Sequence, residues 1–554
     1  MSENTPSNKT FRNHIFAGAG LGALSGLTLV AFLFLGERWF GLPFVPFDIF
    51  DWMTRTLPGG LIAGVIRFMV ILIEFFQSFL PIGNTSTVAK LAEQSIAIGQ
   101  LVAGGAIFGA ALAWLRGRSP SNLVLYGQLG GLGLLAVTLI IEYSLETVTM
   151  TAGSVIWLAL LFFAWGWGLA RLVEPALKEE EKIAAEEITR RQFLKVSGAG
   201  LSAAALGTWG IAQLFGDEAV ESIAESSTSV EAPIGDPFGT SLTSGSAASP
   251  SLEELAARPA AVSGTRPEMT PTDDYYRIDI NTRPSEIDIE NWRLKVTGRI
   301  NQPVDLTIDQ IRSYPSQEQI LTMQCISNSV GGDLTSSTRW KGVRFKDLME
   351  DLGMDTSAAG AYIESSDGFY EFVIMEDILD ERTLLVYDMN GEALRVKHGF
   401  PLRVYIPGRY GMKQPKWITS IEIADEWVEG YWVERGWSRE AFVKTVSVVD
   451  TVAVDPNMGE NGTALAGGIA WASSRGISKV EVQINDGGWQ EAELINPPLS
   501  PLNWVLWRIG WDYTPGRYDI SVRAFDGDGI LQAVEDRAPR PNGASGIHST
   551  SVNI

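Results

Sequence analysis

The chain of 554 residues contains one cysteine and three histidines. Cys325 therefore has no partner for an intramolecular disulfide, and iron–sulfur clusters, which need several thiolates, are excluded. No Cys-x-x-Cys-His run occurs, so a covalently attached haem is excluded. His14, His398 and His548 are the only histidines, too few and too scattered for a bis-histidine haem among the apolar segments. Basic residues are scarce as well: 43 Lys and Arg against 65 Asp and Glu leave a formal net charge of −22. Such a chain has little with which to neutralise phosphates, which argues against a nucleic-acid partner. Any electron carrier beyond a single metal centre must then sit on another protein or diffuse.

What is present divides into two halves. Up to about residue 216 the sequence consists largely of apolar stretches, near 15–35, 61–80, 96–115, 123–141 and 152–172, with a sixth at 196–215. Each is about long enough to cross a bilayer. Gly18, Gly22 and Gly26 recur every four residues, a spacing that lets helices pack closely. The glycine-rich runs at 18–26 and 197–207 follow no β-strand, so neither reads as a dinucleotide loop. The 61–80 segment carries Arg67 and Glu74, which are costly in hydrocarbon. It is expected to lie along the outer surface or to re-enter, leaving five true spans and an inside N-terminus. Trp39, Phe40, Phe44, Phe47, Phe50 and Trp52 before it suit an interface.

Thr189-Arg190-Arg191-Gln192-Phe193-Leu194-Lys195, followed by an apolar stretch, resembles an internal twin-arginine export signal. The alternative is the positively charged cytoplasmic flank of a last membrane helix. Either reading puts Arg190 and Arg191 inside and everything after about residue 216 outside. The expected organisation is a membrane-spanning helical region at 1–172 and a segment with the arginine motif and last helix at 173–216. A solvated tether at 217–264, rich in Ser, Thr, Ala, Glu and Pro, then leads to two soluble domains at 265–430 and 431–554.

The first soluble domain alternates β-like runs (WRLKVTG, TLLVYDM, PLRVYIP, WITSIEIAD) with helical stretches (VRFKDLMEDLG, EFVIMEDILDE), a mixed α+β pattern. The second reads as strands and turns, an antiparallel sandwich. Cys325 follows an apolar β-favouring run and precedes a polar, Gly-containing turn, so its thiol sits at a strand end facing a loop. From these residues alone it is either an inert buried thiol or a thiolate on a soft metal. His398, Arg403, Arg409, Lys413 and Lys416 fall within 19 residues, a basic cluster that in an acidic chain suits an anion. A solvated basic patch is the plainer alternative.

YYRID (275–279), the Cys325 segment, HGFPLRVYIPGRYGMKQPKW (398–417) and NGASGIH (542–548) together resemble the sulfite oxidase family of molybdopterin enzymes, over roughly residues 265–554. The resemblance implies a molybdopterin domain followed by an immunoglobulin-like domain that often mediates dimers. It makes Cys325 the thiolate ligand of molybdenum in a Mo-molybdopterin cofactor. It places Tyr276, Arg277, His398, Arg403, Gly411, Met412, Lys413 and Lys416 against the pterin or its phosphate. Ser365 falls where a hydroxyl residue commonly touches the cofactor. Tyr370 occupies the approximate place of the family's active-site tyrosine, or else is a packed aromatic.

The sequence departs from the family after Cys325. An arginine there helps sulfite oxidases hold the sulfite dianion, but this chain has Ser327, Asn328 and Ser329. Losing a bidentate guanidinium disfavours a dianion. The expected function is therefore oxygen-atom transfer at an extracytoplasmic site, with reduction of a small neutral oxo-substrate such as a sulfoxide or N-oxide. Electrons would come from or go to a quinone or redox protein. The alternatives are sulfite oxidation with Arg339 or Arg409 as the anion clamp, and a membrane-anchored scaffold without turnover.

Overall fold

In the computed structural model, residues 8–57, 85–116, 122–145, 150–183, 251, 254, 257–454 and 462–554 are described. The chain divides into two compact units, Met1–Pro58 with Lys90–Gly239, and Gly59–Ala89 with Thr240–Ile554.

Four helices of the first unit, Asn8–Phe40, Thr85–Arg116, Leu123–Leu145 and Ala152–Ile183, are long and apolar enough to cross a membrane. Lipid offers no hydrophobic drive for helices to associate, so close backbone approach must supply the attraction. The glycines do this. A Cβ on Gly18 would lie 2.4 Å from the Gly109 carbonyl oxygen, and one on Gly22 only 2.0 Å from that of Gly105. Gly127 and Gly166 repeat the contact between the last two helices, where a Cβ on Gly127 would meet the Gly166 oxygen at 2.3 Å. A shorter helix, Val45–Thr56, covers the aromatic stretch, and Phe44 and Val45 are buried with Leu29, Leu101 and Phe162. The 61–80 segment, the Arg190–Arg191 motif, the 196–215 span and most of the 217–264 tether lie outside the described residues.

The second unit opens with two sheets. Val304–Leu306, Leu294–Gly298, Ile418–Ala424, Gly360–Ser365 and Tyr370–Ile374 form one, with Leu294–Gly298 and Ile418–Ala424 parallel and the other neighbours antiparallel. Ser316–Gln324, Thr335–Arg344, Leu384–Met389 and Glu392–Ala393 form the other, and Arg403–Tyr405 also pairs with Leu384–Met389. Helices Phe345–Asp351 and Met375–Leu379 complete the mixed α+β pattern, and a core of Leu294, Val343, Phe345, Ile363, Ile378, Leu385 and Ile421 is sealed from solvent.

The helix expected over 371–381 is shorter, because Tyr370–Ile374 is a strand paired with Gly360–Glu364. Phe372 and Val373, good strand formers, are buried there at 1% exposure each. The helix begins only at Met375.

From Val446 onward come two four-stranded antiparallel sheets. One is Val446–Val454, Thr463–Trp471, Val505–Asp512 and Glu493–Ile495; the other is Gln490–Glu491, Ile477–Ile484, Arg517–Asp526 and His548–Asn553. They share a core built from alternate residues, among them Val449, Ala466, Val480, Val482, Trp507, Ile520 and Val522. Part of the expected tether is packed on this region: Val262 is buried, and a Cβ on Gly467 would meet its side chain at 2.9 Å. Arg266 pairs with Asp450 at 2.8 Å.

Candidate active site

Ser316–Gln324 ends with Gln324 opposite Thr335, and Cys325 is the next residue. Its N–H still donates to the Leu334 carbonyl at 2.9 Å, so the ladder holds the cysteine backbone in place. The loop that follows is closed by Asn328, whose N–H donates to the Cys325 carbonyl at 3.1 Å and whose Oδ1 accepts from Leu334 N–H at 2.9 Å. A Cβ on Gly332 would lie 2.4 Å from that Oδ1, so the closure needs a residue without one. The thiol lies where a strand-end position predicts it. It is 8% exposed, with Sγ 3.0 Å from Ser327 Oγ. Burial pushes the thiol up, while the Ser327 hydrogen bonds and the Lys416 charge pull it down. A soft metal would invert that balance by holding the sulfur as thiolate.

Around Cys325 the structure gathers residues from three separated segments. Tyr276 packs in the same buried cluster, with its N–H donating to Ser336 Oγ at 3.1 Å. Gly411 lies against Tyr276, where a Cβ would stand 2.8 Å from the tyrosine hydroxyl. His398 ends a short 3-10 turn and is 2% exposed. Its Nε2 is 3.1 Å from the Thr272 carbonyl oxygen, which can only accept, so Nε2 carries the proton and donates. Burial, reinforced by the cations Lys416, Arg403 and Lys397, brings His398 down to about 3 and keeps it neutral. Arg403 Nη1 donates to the His398 carbonyl at 3.0 Å, and its guanidinium lies 4.9 Å from the Trp340 ring centre. Gly399, at φ +108, lets the Lys416 and Arg403 stems come together; a Cβ would be 3.0 Å and 3.2 Å from theirs.

Asp279 accepts from both Arg277 Nε and Lys416 Nζ and is itself fully enclosed. Two cations, Arg277 and Lys416, thus share one carboxylate, and Arg403 is near enough to feel its charge. The crowding shows at Lys416, which burial and the neighbouring Arg403 and Arg277 bring down to about 8 despite Asp279. Several polar atoms here are buried without a partner among the described residues: Arg277 Nη2, Gln324 Oε1, Ser365 Oγ and Tyr275 OH. Ser365 stands opposite Ile418, two residues beyond Lys416.

These features fit a molybdopterin. Unsatisfied buried polar groups cost about 1–3 kcal/mol each; an anionic phosphate would satisfy the donors among them and relieve the surplus charge, and the N–H groups of a pterin ring would suit the Gln324 oxygen. Arg277, Arg403 and Lys416 would hold the phosphate, Ser365 and the Tyr276–Gly411 contact would border the pterin, and Cys325 would supply the thiolate.

Other expected site residues are tied elsewhere. Lys413 Nζ donates to Glu371 Oε1 at 2.7 Å, both side chains being buried. Met412 packs with Ile326 and Tyr410 beneath the cysteine turn. Tyr370 donates to Glu434 Oε2 at 2.5 Å and contacts Tyr362 and Tyr431 through its ring; burial and then the Glu434 hydrogen bond push it up to about 12. None of Glu434, Tyr362 and Tyr431 belongs to the Cys325 cluster. Arg409 is bound to Asp377 at 2.9 Å and to the Glu440 carbonyl at 2.8 Å. Arg339 pairs with Ile320, four residues back from Gln324, or about 13 Å along the ladder.

Sequence reasoning passed over Asp279, Gln324, Trp340 and Glu371. Asp279 alone left a signal, as the one carboxylate in the YYRID motif.

Residues 281–432 match the family model of the oxidoreductase molybdopterin binding domain. An uncharacterised oxidoreductase of Bacillus subtilis, YuiH, is 29% identical over 171 residues, 31% of this chain and 84% of that protein. Sulfite oxidase of Arabidopsis thaliana is 27% identical over 286 residues, 42% of this chain and 71% of the plant protein. A protein of Azospira oryzae, named as the protein-methionine-sulfoxide reductase subunit YedZ1, is 27% identical over 176 residues, 31% of this chain and 63% of its own length.

Proposed function

We propose that this chain, a molybdopterin oxidoreductase of the sulfite oxidase family, reduces a small neutral oxo-substrate of the sulfoxide or N-oxide class. Such a reaction balances as R2SO with two protons and two electrons giving R2S and water. When bound, molybdopterin supplies a metal that exchanges an oxo group and two electrons. The protein's share is positioning and tuning. Cys325 would offer a thiolate from a rigid strand end, and Ser327 Oγ, 3.0 Å away, would then donate to that sulfur and draw electron density from it. The cations around Asp279 would hold the phosphate, so their charge would be engaged with the cofactor.

The observation that carries the substrate class is the loop after Cys325. Ser327, Asn328 and Ser329 present only neutral groups, and Asn328 is occupied in closing the loop. Arg409, one candidate anion clamp, is held by Asp377 and the Glu440 carbonyl; Arg339, the other, is four pairs down the ladder. The relatives named for sulfite oxidation and for methionine sulfoxide reduction are both consistent with the chemistry.

We further propose that the helical half anchors the protein in the cytoplasmic membrane. The catalytic half is then delivered folded to the outer side through the Arg190–Arg191 signal, exchanges electrons with a quinone or redox protein, and dimerises through an immunoglobulin-like 431–554 region. Steady-state kinetics with an artificial dye in both directions test the substrate assignment. Sulfoxide reduction should exceed sulfite oxidation in kcat/KM; sulfite oxidation with a low-micromolar KM would overturn it.

A further inference from the structure

Glu142 is an unusual residue for its place. It sits on the apolar helix Leu123–Leu145, is 1% exposed, and both its carboxyl oxygens are buried without a hydrogen-bond donor among the described residues. One turn earlier on the same face Thr138 is 0% exposed, and its Oγ1 is likewise unpartnered. The short helix Val45–Thr56 packs on this helix and brings Asp48 within hydrogen-bonding reach of Glu142. Asp48 Oδ2 is also buried without a donor among the described residues.

Few other charges lie on the helices of this unit, and Asn8–Phe40 carries Glu37 and Arg38 in its last turn. On Val45–Thr56, Asp51 is 8% exposed and Arg55 donates from Nη1 to the Leu145 carbonyl at 3.3 Å, at the end of the neighbouring helix. On Thr85–Arg116, Lys90 and Glu93 pair with each other at 2.6 Å and Arg116 is in the last turn. Ala152–Ile183 carries no charge before Arg171.

Two carboxylates side by side in an apolar bundle cannot both ionise, since each would face a like charge without solvation. As two anions neither has a donor. One proton between them makes one group the donor and the other the acceptor, and so satisfies Asp48 Oδ2 and one of the two Glu142 oxygens.

We propose that Asp48 and Glu142 form a one-proton site that latches the Val45–Thr56 helix to the bundle. Loss of the proton places two negative charges at the contact and releases the latch. The site is independent of the reaction proposed above.

Dicyclohexylcarbodiimide, an apolar reagent that attacks protonated carboxyls, tests it on the full-length protein in native membranes. The acid adds across one carbodiimide N=C bond and rearranges to a stable acylurea without losing any group. Peptide mass spectrometry should find one adduct per chain shared between Asp48 and Glu142, with none on the pair once the membranes are made strongly alkaline. D48N and E142Q should each lower labelling of the remaining carboxyl about tenfold at neutral pH, because the new amide donates to it and no proton need be shared. Adducts on both residues of one chain, no adduct on either, or single variants that label like the native protein would each overturn the proposal. The native stoichiometry decides the matter even if a variant fails to insert.

Discussion

Lys413 is expected from the family resemblance to contact the pterin, yet the structure ties it to Glu371, and this makes a stability prediction. The Nζ–Oε1 distance is 2.7 Å, and the side chains are 7% and 0% exposed. Glu371 Oε1 also accepts from Phe372 N–H at 2.8 Å, while Oε2 has no partner among the described residues. Gly430 closes the other side, where a Cβ would be 2.2 Å from Oε1. Replacing Lys413 by Met thus strands a carboxylate that water does not reach. Breaking a buried pair from one side costs about 3–5 kcal/mol. In the E371Q/K413M double variant the residual cost is that of an imperfectly satisfied amide, about 1–3 kcal/mol.

Acid should rescue K413M. Burial already raises Glu371 in the native protein, and without Lys413 the rise is larger. A carboxyl raised in the folded state stabilises it below the unfolded value, about 4.3, and loses that contribution as pH climbs through the folded value. The K413M penalty should therefore be largest near neutrality and shrink toward about pH 4. Urea unfolding of the full chain in detergent, read by pulse proteolysis of the catalytic half, measures it. A K413M cost below about 1 kcal/mol, or one that does not change with pH, would refute the assignment of Lys413 to Glu371.

Cys325→Ser should abolish turnover and leave the purified protein with far less than the one molybdenum per chain expected of the native form by elemental analysis, because a neutral hydroxyl is a poor ligand for a soft site. His398 is lowered by burial, so the unfolded chain binds the extra proton between about 6.5 and about 3, and stability should fall as pH drops through that window. H398Q should flatten the acid loss in thermal melts; an unchanged slope would remove His398 as its source. Gly411→Ala should weaken cofactor retention, since its Cβ would press on the Tyr276 hydroxyl at 2.8 Å, and pterin released on denaturation reports it. Lysines in place of Arg190 and Arg191 should leave the catalytic half protected from protease in intact spheroplasts, whereas unchanged external exposure would show that ordinary insertion suffices.

The parts of this protein legible in its sequence are those fixed by local chemistry. Glycines every four residues in an apolar run announce close helix packing, and Gly18 and Gly22 do meet Gly109 and Gly105. A β-favouring run broken by Ser, Asn and Gly announces a thiol at a strand end, and Cys325 is there. The strand at 370–374 was harder to read, because its acidic neighbours favour a helix and only pairing with 360–364 decides otherwise. Partnership across distance left no trace at all. Glu371 and Lys413 are 42 positions apart, and Asp279 and Lys416 are 137 apart. Composition therefore ranks Lys413 and Lys416 alike, as two lysines in one basic loop. The fold separates them: Glu371 neutralises one inside a wall of the domain, while the other shares Asp279 with Arg277 and so leaves a net positive site. The number of carboxylates each cation must share, which only the folded chain decides, distinguishes a basic loop that binds an anion from one that merely holds the domain together.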